Sequence, residues 1–232
     1  MPEPRKPPRS RGRGPQLPTP GPLPAPRTSP TKPSPSPESV VRDLIERTPG
    51  VAAPQPLENP RRVAPVEGPL RILFMDLDGT LTNGVITFDT VGDQRHFAIR
   101  DGLALQWATE FGVRPVVISG RASKAAELRM KDLDLENYLG VQDKVGIADQ
   151  VRRRERVEWE QCVMVGDDLP DLALMKRVGW AVAVADAVPQ VKHVAHTVTL
   201  ARPGYGAIRE VVELLLKHNG VWQQVLERYE AT

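Results

Sequence analysis

Cysteine is almost missing from these 232 residues: Cys162 is the only one. One thiol builds neither a disulfide framework nor a thiolate zinc site. Its isolation fits a reducing compartment, so a cytoplasmic protein is expected. No apolar run approaches the ~20 residues of a membrane-spanning helix, and the arginine-rich N-terminus lacks the apolar stretch of a secretory signal. Neither a membrane partner nor secretion is therefore expected. Aromatic rings are absent from residues 1–69, and proline is scarce after them. All Phe, Trp and Tyr lie from Phe74 onward, and of the 24 prolines only Pro115, Pro170, Pro189 and Pro203 lie beyond residue 69. A segment rich in proline and without a ring cannot bury enough apolar surface to offset its ordering entropy. Residues 1–69 are expected to be a disordered Pro/Arg-rich tail and linker, and residues 70–232 one folded domain.

What is present divides along the same line. The tail holds 11 Lys and Arg against 6 Asp and Glu, whereas residues 70–232 hold 20 against 23. The folded part is therefore slightly acidic, which argues against nucleic acid as its partner. The tail reads as an extended, semi-stiff spacer, with a docking ligand as the alternative, and its partner is unknown. Within it, residues 39–47 place Val40, Val41, Leu44 and Ile45 on one side of a short helix.

From residue 70 apolar strands alternate with helices. Buried strands are expected at 70–75, 113–119, 162–165 and 180–185, with shorter ones at 138–141 and 196–200. A hairpin is expected from 84–88 and 94–99. Helices are expected from Asp101, as a cap, to Phe111, then at 121–132, 144–156, 169–178, 204–218 and 220–229. This alternation implies an α/β layered fold around a mainly parallel sheet, with its site beyond the carboxyl ends of the strands.

Three of those ends carry chemistry. Strand 70–75 runs into Asp76-Leu77-Asp78-Gly79-Thr80, strand 113–119 ends in Ser119-Gly120-Arg121, and strand 162–165 runs into Gly166-Asp167-Asp168-Leu169-Pro170-Asp171. Asp76 and Asp78 are two apart and point the same way in an extended chain. Carboxylates ~5 Å apart repel by roughly 3 kcal/mol at an effective dielectric near 20, and Asp167 adds to this. A hard divalent cation with oxygen ligands resolves the repulsion, and Mg²⁺ typically combines one or two carboxylates with substrate phosphate.

The set resembles the haloacid dehalogenase superfamily. Asp76-x-Asp78-Gly79-Thr80 is similar to its first motif, Ser119 to its second, Lys144 to its third, and Gly166-Asp167-Asp168-x-x-Asp171 to its fourth. The resemblance implies a Rossmann-like three-layer fold and a phosphatase that works through an aspartyl phosphate. It makes Asp76 the nucleophile and Asp78 the proton donor and then acceptor. Mg²⁺ is held by Asp76, by the backbone carbonyl of Asp78 and by Asp167. Ser119 and Lys144 meet the phosphoryl group, and Asp168 and Asp171 orient the site or start a helix.

Residues 81–118 and 120–166 leave no room for a large cap domain, only a small β-hairpin insert. Thr82-Asn83-Gly84 after the first motif, Arg100-Asp101-Gly102, Ala183-Val-Ala-Asp-Ala187 and Gly206-Ala-Ile-Arg-Glu210 resemble the capless 3-deoxy-D-manno-octulosonate 8-phosphate phosphatases. That narrower resemblance implies a small phosphorylated sugar acid as substrate and a homotetramer assembled through the hairpin. It also implies a pocket to which Gly120, Arg121, Arg100, Asp101 and Gly102 contribute. Thr80, Asn83, Ala104 and Tyr205 depart from the family's usual residues. The competing expectations are a nonulosonate (sialic-type) 9-phosphate phosphatase, a nucleic-acid 3′-phosphatase tethered by its basic tail, and a catalytically silent scaffold.

Overall fold

A computed structural model of the chain describes residues 64–90 and 92–231. The expected tail up to residue 63, with its helix over 39–47, lies outside the described residues. The described chain packs from Ala64, which is buried with the core while Val66 lies partly buried against it.

The elements run β1 (Ile72–Met75), β2 (Thr87–Phe88), β3 (Asp93–Gln94), α1 (Ile99–Glu110), β4 (Arg114–Ser119), α2 (Lys124–Asp132), β5 (Glu136–Leu139) and α3 (Lys144–Glu155). There follow β6 (Cys162–Gly166), α4 (Leu172–Met175), β7 (Trp180–Ala183), α5 (Pro189–Val194), β8 (Thr197–Val198), α6 (Ala207–His218) and α7 (Trp222–Glu230). Six strands form one sheet in the order β5-β4-β1-β6-β7-β8, and every pairing in it is parallel. β1 and β6 are buried along their whole length, as expected of strands covered by helices on both faces.

From β1 the chain steps one way, through α1 to β4 and through α2 to β5. It then crosses over and steps the other way, through α3, α4 and α5. Right-handed crossovers place α1 and α2 on one face and α3, α4 and α5 on the other. The connections leave β1 and β6 in opposite directions, so a crevice opens between their carboxyl ends.

α6 buries Ile208, Val211, Val212, Leu215 and Leu216, a stripe at helical spacing. α7 adds Trp222 and Tyr229, whose rings meet Trp107 of α1 edge-on at centroid distances of 5.9 and 5.8 Å. At the end of α6 the carboxamide of Asn219 accepts from the Leu70 N–H at 2.9 Å and donates to the Leu70 carbonyl at 2.8 Å. The chain is thus pinned just before it enters β1.

Several boundaries differ from expectation. The hairpin pairs only Thr87–Phe88 with Asp93–Gln94, backed by a single bridge between Thr82 and Phe97. Its ladder stops short because Arg95 turns inward to Asp78. α1 begins at Ile99 with Ala98 as its N-cap, so Asp101 caps nothing in its own helix. The helix expected over 169–178 is a 3₁₀ turn, Leu169–Asp171, followed by the four residues of α4. α5 is an additional helix, short and opened by Pro189. The insert between β1 and α1 holds only the hairpin, and no cap domain is present among the described residues.

Candidate active site

The end of β1 turns sharply. The Leu77 carbonyl accepts from the backbone N–H groups of Thr80, Leu81 and Thr82. Gly79 sits in this turn with φ at +91°, and a Cβ there would lie 2.2 Å from Asp167 Oδ2. Glycine is thus required twice, by the left-handed backbone and by the close approach of the β6 loop. The turn leaves Leu77 in the core and directs Asp76 and Asp78 to the crevice. There they line a cleft of about 420 Å³ with Ser119, Gly120, Arg121, Lys144, Asp167 and Asp171 among the others.

Lys144 opens α3 and is buried beneath the cleft. Its Nζ donates to Asp76 Oδ1 at 2.6 Å and to Asp171 Oδ1 at 2.7 Å. Burial opposes its charge, but the two carboxylates outweigh burial and hold its pKa above the ordinary lysine value. The second oxygen of Asp171 accepts from the N–H groups of Asp167 and Asp168 at 3.0 and 3.3 Å. Both oxygens of Asp171 are therefore engaged in fixing Lys144 and the β6 loop. Asp168 spends its own carboxylate on the Leu169 N–H at 2.7 Å.

Asp76, Asp167 and Asp171 each bring one oxygen to within 4.8 Å of the others. Burial and the charge of Asp171 push Asp76 up to about 6 despite Lys144. Burial and the charge of Asp76 push Asp167 up to about 7. Among the described residues no Lys or Arg pairs with Asp167, whose Oδ1 accepts from the Thr80 hydroxyl at 2.9 Å. Crowded, buried, hard oxygen donors short of positive charge fit a divalent metal ion. Asp76 and Asp167 have more free acceptor capacity for it than Asp171, both of whose oxygens are already engaged. The carboxylate of Asp78 stands apart from this trio, gripped by Arg95 at 2.6 and 3.0 Å.

The remaining expected residues divide. Ser119 is buried at the end of β4, where its hydroxyl accepts from the Arg121 N–H at 3.3 Å, and Ser119, Gly120 and Arg121 line the cleft. Arg100, Asp101 and Gly102 do not line it. Asp101 is fully buried and accepts from the Arg209 N–H at 2.8 Å, in the first turn of α6. Burial raises its pKa. Gly102 lies where α1 meets α2, and a Cβ there would lie 2.6 Å from Arg129. Both residues serve the packing of α1 in this chain, while Arg100 is exposed beside Gly206. Arg95 is the residue that sequence reasoning passed over, since one basic residue in a polar hairpin carries no motif.

The model of the haloacid dehalogenase-like hydrolases matches residues 142–208, from just before Lys144 into α6. A 3-deoxy-D-manno-octulosonate 8-phosphate phosphatase of Yersinia pestis is 35% identical over 149 residues, covering 63% of this chain and 80% of that protein. The crystal structure of such a phosphatase from Moraxella catarrhalis, in complex with magnesium, phosphate and the sugar acid, is similar with a TM-score of 0.67. It is 30% identical and covers 69% of this chain and 93% of its own. The cobalt-bound form of the Haemophilus influenzae enzyme is similar with a TM-score of 0.64 at 31% identity, over 66% and 91% of the two chains.

Proposed function

Because the chain belongs to the haloacid dehalogenase superfamily and is a phosphatase, we propose that it hydrolyses 3-deoxy-D-manno-octulosonate 8-phosphate, with Mg²⁺ as the metal. The observation that carries the phosphatase chemistry is the charge arrangement on the cleft floor, and the octulosonate rests on the substrate of the similar phosphatases. Lys144 lies between Asp76 and Asp171, and Asp167 lies beside Asp76 with no Lys or Arg partner among the described residues.

Asp76 Oδ is the nucleophile. It attacks phosphorus, the ester oxygen departs with a proton from Asp78, and an aspartyl phosphate forms on Asp76. Asp78 then takes a proton from the water that cleaves this acyl phosphate. Lys144 keeps Asp76 ionised and in place, and its charge faces the phosphoryl group. The Ser119 hydroxyl and the Gly120–Arg121 backbone receive phosphoryl oxygens at the end of β4. Asp76, Asp167 and the Asp78 carbonyl would hold the Mg²⁺, which supplies the positive charge that the anionic substrate and the phosphoryl transfer require. Arg121, which lines the cleft, offers a guanidinium group that suits a substrate carboxylate.

A nonulosonate 9-phosphate is the second reading. Tyr205, an exposed ring where the narrower resemblance expects Arg or Gly, is a departure that bears on the leaving group and keeps this competitor in view. A nucleic-acid 3′-phosphatase is disfavoured by the acidic balance of residues 70–232. A silent scaffold is disfavoured by the intact nucleophile, acid, lysine and metal carboxylates. Assembly as a homotetramer in the cytoplasm completes the proposal.

Phosphate release from the two sugar-acid phosphates, measured side by side with Mg²⁺, discriminates between them. Higher kcat/KM on the octulosonate supports the first reading, and higher kcat/KM on the nonulosonate replaces it with the second. Asp76→Asn is expected to abolish release on either while leaving the circular dichroism spectrum unchanged. Turnover persisting in that variant would falsify the nucleophile assignment.

A further inference from the structure

Outside the carboxylate cluster, the group most completely committed to a single geometry is the guanidinium of Arg95. Its side chain has 0% exposure. Nε donates to Asp78 Oδ1 at 2.6 Å and Nη2 donates to Asp78 Oδ2 at 3.0 Å. Nη1 is taken up by Asp93 of the hairpin and by the hydroxyl of Ser123. That hydroxyl also accepts from the Ala126 N–H at 3.1 Å as the N-cap of α2. One side chain thus joins three segments: the turn after β1, the hairpin, and the loop that follows β4.

A buried guanidinium is costly unless its donors are matched, and here all three nitrogens have acceptors. Four of its five N–H groups are so engaged, and a side chain with 0% exposure offers the fifth to no ligand in the cleft. Arg95 does not line the cleft, whereas Asp78 does. Whatever Arg95 contributes to the chemistry therefore passes through Asp78. Two parallel N–H···O contacts fix both the position and the plane of a carboxylate, which one ammonium contact cannot do.

We propose that Arg95 is a positioning residue that holds the Asp78 carboxyl at the angle and distance needed for proton transfer to the departing ester oxygen. It couples the folding of the hairpin to the chemistry at the end of β1. The inference rests on the reading of Asp78 as the proton donor and deepens it. The alternative is that Arg95 only staples the hairpin to the domain.

Leaving-group dependence separates these. An alkyl phosphate needs a proton on its departing oxygen, whereas p-nitrophenyl phosphate releases a stable phenolate without one. kcat/KM reports the steps up to departure of the leaving group, so it isolates this need from later cleavage of the aspartyl phosphate. The experiment compares kcat/KM for an alkyl phosphate and for p-nitrophenyl phosphate. It uses the full chain with Mg²⁺ in wild type, Arg95→Gln, Arg95→Lys, Asp78→Asn and the Asp78→Asn/Arg95→Gln double variant.

General acids contribute on the order of 10² to 10⁴ in rate, so loss of their alignment is expected to lower alkyl turnover by about 10- to 100-fold in Arg95→Gln. The aryl ester is expected to change by less than about threefold, Arg95→Lys to recover part of the alkyl loss, and Arg95→Gln to add nothing in the Asp78→Asn background. Equal losses on both esters, no loss, or an additive loss in the double variant overturns the inference. If Asp78→Asn itself shows no dependence on the leaving group, Asp78 is not the proton donor. The functional reading then fails at that residue and takes the inference with it. A leaving-group-dependent Asp78→Asn beside an indifferent Arg95→Gln removes the role of Arg95 alone. Arg95→Lys keeps the charge and most of the volume, and supplies the same comparison where the Gln variant does not fold.

Discussion

The Thr80 hydroxyl donates to Asp167 at 2.9 Å, and the missing Cβ of Gly79 gives that carboxylate its room. Asp167 is thus aimed by two residues of the preceding motif. Groups that orient a metal ligand typically cost 10- to 100-fold in metal affinity when removed. Thr80→Val keeps the shape and loses the hydroxyl. Its apparent Mg²⁺ affinity, from activation curves, is expected to fall by about tenfold with the melting temperature little changed. Unchanged Mg²⁺ dependence counts against the contact. At this scale the sequence was most informative where a strand end carries a motif. Asp76, Asp78, Ser119, Lys144 and Asp167 all arrive in one cleft, because period-two spacing and parallel strands leave few other placements. Asp101 and Arg95 were illegible for a shared reason. The partner of the first is a backbone N–H more than 100 residues away, and that of the second depends on the path of an irregular hairpin.

Elements raise a different question, that of how the sheet edge and the C-terminal helices are secured. At β5, Glu136 accepts from Arg114 at 2.9 Å and from Arg154 of α3 at 2.8 Å, and Tyr138 donates to it at 2.8 Å. Burial works against its charge, but these donors win and lower its pKa. A carboxylate with a depressed native pKa contributes stability above its unfolded value, here 4.5, and loses that contribution as the pH falls through the native one. Glu136→Gln is therefore expected to be less stable than wild type at neutral pH, with the two denaturation curves converging in acid below pH 4.5. A difference that stays constant across that window contradicts the assignment.

α7 lies beyond the reach of the motif resemblance, yet Trp222 and Tyr229 cover Trp107, and the Trp107 indole N–H donates to Tyr229 at 2.9 Å. Trp222→Ala is expected to cost about 2 kcal/mol, less than a fully buried tryptophan. Urea denaturation followed by tryptophan fluorescence measures this, and a change within about 0.5 kcal/mol would mean that α7 merely rests on the surface. Long periodic elements were legible in the sequence, α6 above all. The short ones were not, since four residues of α4 or six of α5 carry too little periodicity to separate helix from turn.

At the scale of the molecule, no cap domain covers the cleft among the described residues, and the small insert between β1 and α1 exposes apolar side chains. Val85, Phe88 and Ile99 are 57%, 70% and 86% exposed, respectively, on the hairpin and at the start of α1. Exposed apolar side chains in that number, none of them lining the cleft, suit a surface that another copy covers. Light scattering coupled to size exclusion is expected to report a tetramer, and Phe88→Asp to shift it toward smaller species. A monomer at micromolar concentration would remove the assembly from the proposal. The mainly parallel sheet follows from the alternation of strands and helices, whereas its order and switch point do not, because right-handed connections allow several orders. Nor does the proposed assembly, because a two-residue ladder such as β2–β3 carries no sign of what would pack on it.

The pairing of Asn219 with Leu70 has a mechanical consequence. Load applied to the chain ahead of β1 meets two hydrogen bonds between the Leu70 backbone and the Asn219 carboxamide at the end of α6, at the amino end of β1 and remote from the catalytic turn. A pull on Leu70 is therefore shared with a twelve-residue helix, at the end of β1 opposite Asp76.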